Sequence, residues 1–355
     1  MIIVHTSDLH LGSPLTARLT GEKLKARRKE LTESFINSVE EAALRSARLF
    51  IIAGDLFDSK GVSRKMKEEI LSVIRRERDI DFLYLPGNHE GDVLLDGSVD
   101  LPDNLKVFGE EWTYYNYGFV TVAGKSRIDR DLFDTLRLDP DRKNIVVLHG
   151  QLADRCAIDT IGLKDARERG IDYLALGHYH SFSKRPIDTR GIAVYSGTPE
   201  GRGFDEATEC GIAIIDTDGT SLDVKLLPTA KRQHIIKTVD ITDLNDRIEV
   251  DSAVREALKG ISATSLVRIV LTGKHTPELY ADPEGLEERY SGDFYYLEVI
   301  DESGILINPE DYRYDKTLKG EFIRLVLSKD DLEPEERDRI IRAGIGALLG
   351  EIDEF

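Results

Sequence analysis

The 355-residue sequence predicts an α/β fold, a two-sheet sandwich flanked by helices, with a small α+β capping domain behind it. Three observations predict this. Short apolar, β-branched runs recur with turn residues after them, long helical patterns separate the early runs, and the later runs follow one another closely. Strands that alternate with helices build a mainly parallel sheet, whereas closely spaced strands call for a second or mixed sheet.

The elements follow in order. Residues 2–6 form the first run. Leu24, Arg28, Leu31, Phe35, Val39 and Ala42 then recur at three- and four-residue spacing, which predicts a helix over 22–48. A strand at 49–53 precedes a second helix over 63–78, with Met66, Ile70, Val73 and Ile74 on one face. Further strands are expected at 82–85, 119–123, 145–148, 173–176, 191–195 and 211–215. The pattern changes after Pro228, giving a strand at 235–241, a helix at 252–259 and strands at 266–272 and 295–300. The expected division is a catalytic domain over 1–230, a cap over 231–328 and a helical tail over 329–355.

Composition bounds the function. No apolar run is long enough to span a bilayer, and neither a leader ahead of the first motif nor membrane association is expected. Cys156 and Cys210 lie far apart and outside any metal-ligand spacing, which suits a reducing compartment and a cytoplasmic location. The net charge of −18 argues against a general basic footprint. Contact with nucleic acid must then rest on local basic patches, bound metals or a second protein.

Five short motifs follow expected strands: Asp8-Leu9-His10, Gly54-Asp55, Gly87-Asn88-His89, His149-Gly150 and Gly177-His178-Tyr179-His180. Ligands in open α/β sheets gather outside the carboxyl ends of strands, so these groups should converge on one crevice. The donors are carboxylate, amide and imidazole without thiolate, a set that suits Mn²⁺, Fe²⁺ or Zn²⁺ in a hydrolytic site. They are too many for one tetrahedral ion and enough for two. With Asp8 and Asp55 as the only charged ligands, two divalent ions would keep net positive charge and favour an anionic phosphate. Each motif alone is weak, since an Asp-x-His is often a solvated turn and a Gly-Asp a helix cap. Their joint order carries the signal.

These residues resemble the calcineurin-like metallophosphoesterase superfamily. The opening His-Thr-Ser-Asp-Leu-His-Leu-Gly and the stretch Tyr195-Ser-Gly-Thr-Pro-Glu-Gly-Arg-Gly-Phe204 are similar to its SbcD and YhaO type of DNA-repair exonuclease. The resemblance implies one metal held by Asp8, His10, Asp55 and His180, and another by Asp55, Asn88, His149 and His178, with Asp55 bridging. It implies that His89 faces the scissile phosphate as a catalytic group. Manganese is the expected ion, with iron, zinc or magnesium as alternatives. Where some relatives carry a substrate-positioning histidine this chain has Asp58, read either as a solvated turn residue or as a group orienting His89.

Two basic clusters open the expected helices: Lys23, Lys25, Arg27, Arg28 and Lys29, then Arg64, Lys65 and Lys67. They are solvated helix faces or a DNA contact. Arg202 and Phe204 could touch backbone and base, and Tyr114, Tyr115 and Tyr117 are base-stacking groups or a strand-edge cluster in the core. In the tail, Ile341, Ile345, Leu348 and Ile352 make a narrow apolar seam that docks on its own cap or on another protein. The resemblance implies an SMC-like ATPase bound there, DNA as substrate, a role in double-strand-break repair and a two-fold homodimer. The alternative is a small-molecule phosphodiesterase or phosphatase for cyclic nucleotides or nucleotide-lipids. A non-catalytic subunit is disfavoured because no motif ligand is missing.

Overall fold

A computed structural model describes the chain except for residues 16, 17, 59–61, 88–93, 95, 220, 221, 277, 278, 307–311, 330 and 350–355. It divides into two compact units, Met1–Gln233 and His234–Phe355. The first unit is a mixed α/β sandwich of two six-stranded sheets. Its first sheet contains β1 (Ile2–Thr6), β2 (Leu49–Ala53), β3 (Asp81–Leu85) and β4 (Leu105–Val107), with β13 (Gly211–Asp216) and β14 (Asp223–Pro228), in the order β14-β13-β1-β2-β3-β4. Its second contains β5 (Thr113–Tyr117), β6 (Val120–Gly124), β7 (Lys143–His149), β10 (Tyr173–Gly177), β11 (Ser183–Pro186) and β12 (Ile192–Tyr195), in the order β11-β12-β10-β7-β6-β5. A small ladder pairs β8 (Gln151–Ala153) with β9 (Thr160–Gly162).

The motif-bearing strands run parallel to one another, β1 to β2, β2 to β3 and β7 to β10, while β1 pairs antiparallel with β13 on its other side. They are buried on both faces, which is why they read as continuous apolar runs. On β2, Leu49, Ile51 and Ala53 face the second sheet, while Phe50 and Ile52 face helices α1 (Gly21–Leu44) and α2 (Arg64–Arg76). The two helices cover the outer face of the first sheet through Phe35, Val39, Ile70 and Ile74. The outer face of the second sheet is covered instead by irregular chain carrying Ile128, Leu132, Phe133 and Leu136. Helix α2 starts cleanly because Ser63 caps it, accepting the Met66 N–H at 3.2 Å.

In the second unit three parallel strands, β15 (His234–Asp240), β16 (Leu266–Thr272) and β18 (Tyr296–Asp301), are crossed by helices α3 (Arg247–Leu258) and α4 (Pro283–Tyr290). Between β16 and β18 in sequence lies β17 (Lys274–His275), which pairs with β19 (Gly304–Ile305). The sequence pattern missed the helix Pro283–Tyr290. The tail helix, Pro334–Leu349, buries Ile341 and Ile345 with Ile323 and Val326 of the helix Leu318–Leu327. Of the predicted seam, Leu348 is exposed and Ile352 lies outside the described residues. Among the described residues no helix is long and apolar enough to cross a membrane.

Candidate metal centre

Asp8 and His10 follow β1, Asp55 follows β2, His149 ends β7, and His178 and His180 follow β10. The first two loops run side by side, with the Asp8 N–H donating to the Gly54 carbonyl (3.1 Å), His10 to Asp55 (2.8 Å) and Leu11 to Leu56 (2.9 Å). Asp8, His10, Asp55 and His178 have φ of 55°, 44°, 51° and 104°. For residues other than glycine a left-handed backbone is strained by about 1–2 kcal/mol each. Among the described residues eight non-glycine positions have positive φ, and half of them are these candidate ligands. Strained backbone of this kind clusters at active sites and ligand clamps. At Gly87 the backbone presses so closely that a Cβ would sit 2.0 Å from Asp55 Oδ1, so only glycine fits beside the carboxylate.

Asp8, Asp55, His10 and His149 are almost fully buried, which is costly for charged groups without a compensating ion. His149 Nδ1 lies 2.9 Å from the Ala53 carbonyl oxygen, which can only accept. Nδ1 therefore carries the proton, and the Nε2 lone pair faces Asp55 Oδ2 at 3.3 Å. Two lone pairs at that separation repel unless a proton or metal cation lies between them. Burial opposes charge on the ring, yet the hydrogen bond to Asp55 and the charges of Asp8 and Asp55 raise its pKa to about 9. The same Oδ2 lies 3.6 Å from His10 Nε2, so it stands between one histidine from each expected metal set.

His180 Nε2 lies 3.9 Å from Asp8 Oδ1. Groups that share an ion through bonds of roughly 2.0–2.2 Å lie about 3–3.5 Å apart, close to these spacings. Ligand atoms of Asp8, His10 and His180 fall within 4.8 Å of one another, as do those of Asp8, Asp55 and His149. The residues present therefore fit a pair of divalent cations. Asp8 accepts the Ser7 hydroxyl at 2.5 Å and the His178 backbone N–H at 2.9 and 3.0 Å, and burial lifts its carboxyl above the usual range. The His178 ring is exposed and meets His149 edge-on, with centroids 5.6 Å apart. Asp58 is half-buried, its N–H donating to the Leu11 carbonyl at 3.0 Å. Asn88 and His89 lie outside the described residues.

Several expected DNA-contact groups have internal work instead. Arg27 is fully buried, holding Glu30 at 3.0 Å, Glu200 at 2.6 Å and the Gly201 carbonyl at 2.5 Å. Lys67 is buried against Asp96 (2.7 Å) and Ser98 (3.1 Å). Phe204 is buried, and Arg202 is bound to Glu206. Tyr115 packs on Phe108, Tyr117 lies under Lys106, and the Tyr114 hydroxyl accepts the Arg137 N–H, so the tyrosines are a strand-edge cluster. Glu206, which the sequence reading did not single out, lies 2.7 Å from His180 Nδ1.

The family model for calcineurin-like phosphoesterases matches residues 1–182. The chain is similar to the DNA double-strand break repair protein Mre11 of Sulfurisphaera tokodaii, 23% identical over 299 residues, which cover 78% of this chain and 74% of that one. It is 24% identical over 369 residues to the protein of the same name from Methanosarcina acetivorans, matching 99% of this chain but 57% of that longer relative. A solved structure, the purple acid phosphatase from yellow lupin seeds, aligns with a TM-score of 0.42 at 11% identity, over 63% of this chain and 51% of that one. The matched region runs from the first strand through His180, and the chain belongs to the calcineurin-like phosphoesterase family.

Proposed function

We propose that this chain is a manganese-dependent DNA exonuclease or endonuclease that hydrolyses phosphodiester bonds with two metal ions. The observation that carries the reading is the cluster of imidazole nitrogens and carboxylate oxygens 3.3–3.9 Å apart around Asp8 and Asp55, buried except for half-exposed His180. Two ions bound there supply Lewis-acid polarisation of the phosphate and lower the pKa of the attacking water. Asp8, His10, Asp55 and His180 hold one ion, and Asp55, Asn88, His149 and His178 the other. The strained backbone keeps these ligands in place before substrate arrives, so no reorganisation is needed as charge develops. His89 faces the scissile phosphate, stabilising developing charge or protonating the leaving oxygen.

DNA as the substrate rests on relatives whose names place them in double-strand break repair. We also propose a two-fold dimer, a cytoplasmic location, and an SMC-like ATPase partner that the C-terminal segment captures. In that segment Leu348 is exposed. The burial of Arg27 and Lys67 favours the second reading, a small-ester phosphodiesterase, because it leaves fewer cations for DNA. One assay separates the two. With Mn²⁺, end-labelled DNA should be cut in preference to a model phosphodiester or a cyclic nucleotide. Turnover of the small esters beside intact DNA would establish the alternative. Asp55→Ala should lose metal and activity together, whereas His89→Ala should keep metal and lose turnover.

A further inference from the structure

His180 reaches the metal pocket from the loop after β10, and its side chain keeps 30% of its accessible surface. Its ring meets His10 edge-on, and the side chains that lie against its Nδ1 come from a later stretch of chain. Glu206 ends a short 3-10 turn, Phe204–Glu206, and its side chain is 1% exposed. Both of its oxygens are committed. Oε2 accepts the backbone N–H of Arg202 at 2.6 Å, and Oε1 accepts Arg202 Nε at 2.9 Å and Nη2 at 2.5 Å. Oε1 also lies 2.7 Å from His180 Nδ1.

The tautomer follows from these contacts. An ionised carboxylate only accepts, so His180 Nδ1 must donate. Arg202 Nη2, 3.2 Å from the same nitrogen, is also only a donor, and both groups converge on Oε1. Nε2 is then left with its lone pair directed at the Asp8 carboxylate 3.9 Å away, where an ion would sit. The turn itself is anchored from behind. Glu200 accepts the backbone N–H groups of Lys231 (2.5 Å) and Arg232 (3.2 Å) and pairs with buried Arg27. The two glutamates of the Glu-Gly-Arg-Gly-Phe-Asp-Glu stretch thus have separate tasks, one tying the loop to α1 and the other aiming a histidine.

We propose that Glu206 is a positioning residue which, with Arg202, fixes the tautomer and direction of His180 so that Nε2 serves as a metal ligand. The proposal rests on the two-metal reading above. Carboxylates behind metal-bound histidines typically contribute 10–100-fold to metal affinity. Its test is a Mn²⁺ titration of wild-type and Glu206→Gln protein, followed by calorimetry and by bound metal after desalting. Wild type should bind two ions. Glu206→Gln should bind one ion about 10–100-fold more weakly and the other unchanged, with lost turnover recovered by excess Mn²⁺ at an unaltered KM. Two ions bound at wild-type affinity by the variant, or equal loss at both sites, would overturn the proposal. Fewer than two ions in the wild type would overturn the two-metal reading itself. A second measurement needs no variant: the proton–nitrogen spectrum of zinc-loaded wild-type protein should show His180 protonated at Nδ1, and protonation at Nε2 refutes the assignment.

Discussion

Gly54→Ala is the sharpest perturbation available to the site, because the added methyl group has nowhere to go. Gly54 has φ of +90°, and a Cβ built there lies 2.0 Å from His149 Nδ1 and 2.5 Å from Cγ. Reaching ordinary van der Waals contact, which begins near 3.4 Å, requires the ring to retreat by about 1.4 Å. The retreat breaks the hydrogen bond from His149 Nδ1 to the Ala53 carbonyl, now 2.9 Å long. A left-handed alanine is strained by about 1–2 kcal/mol, and a lost buried hydrogen bond removes about 0.5–1.5 kcal/mol more. The expected destabilisation is therefore about 1.5–3.5 kcal/mol. Metal affinity should fall further than stability, since ligand distances tolerate only about 0.2 Å. Equilibrium urea unfolding of the metal-free protein and Mn²⁺ titration would measure both. A Gly54→Ala protein with wild-type stability and wild-type metal affinity would refute the reasoning about how β2 and β7 meet.

Three other outcomes follow from packing and charge. Arg27→Met should destabilise the first unit by about 3–5 kcal/mol, as breaking a buried pair strands Glu200, and Arg27→Met/Glu200→Gln should recover most of it; the urea midpoints test this, and equal midpoints for the single and double variants would contradict it. Buried His5, bonded to the Tyr173 hydroxyl at 2.8 Å, has its pKa lowered by burial to about 3. Between that value and about 6.5 the unfolded chain binds the extra proton, so stability is lost as pH falls, at up to about 1.4 kcal/mol per pH unit. His5→Gln should flatten the pH dependence of the midpoint in metal-free protein, and superimposable profiles would exonerate His5. Ile341→Ala should open a cavity beside Ile323 and Val326 and lower the stability of the second unit by about 2–5 kcal/mol, read from its thermal melt. An unchanged melt would mean that the tail does not pack there.

The central strands were legible because strands buried on both faces leave uninterrupted apolar runs, as 49–53 does. The edge strand Thr113–Tyr117 and the three-residue Leu105–Val107 left no comparable signal, since half-exposed or very short strands mix polar and apolar residues. In α1 the four-residue spacing placed Arg28 on the apolar stripe, but Arg27 is the buried one. What overrides the spacing is Glu200, which lies far along the sequence and supplies the counter-charge. The motifs at Asp8, Asp55, His149 and His178 stood out because each lies at or just past the end of a strand. Glu206 did not, because its partner His180 is fixed only by the tertiary path of the loop. The same limit applied to Lys67, whose partners Asp96 and Ser98 come from a separate loop.

The two-metal account is tested most directly by anomalous X-ray diffraction from crystals of this protein soaked in Mn²⁺. The account predicts two anomalous peaks about 3.5–4 Å apart, with the Asp55 carboxylate between them and His180 Nε2 and His149 Nε2 on opposite ions. A single peak, or peaks only on surface carboxylates with none beside Asp8 and Asp55, would contradict it.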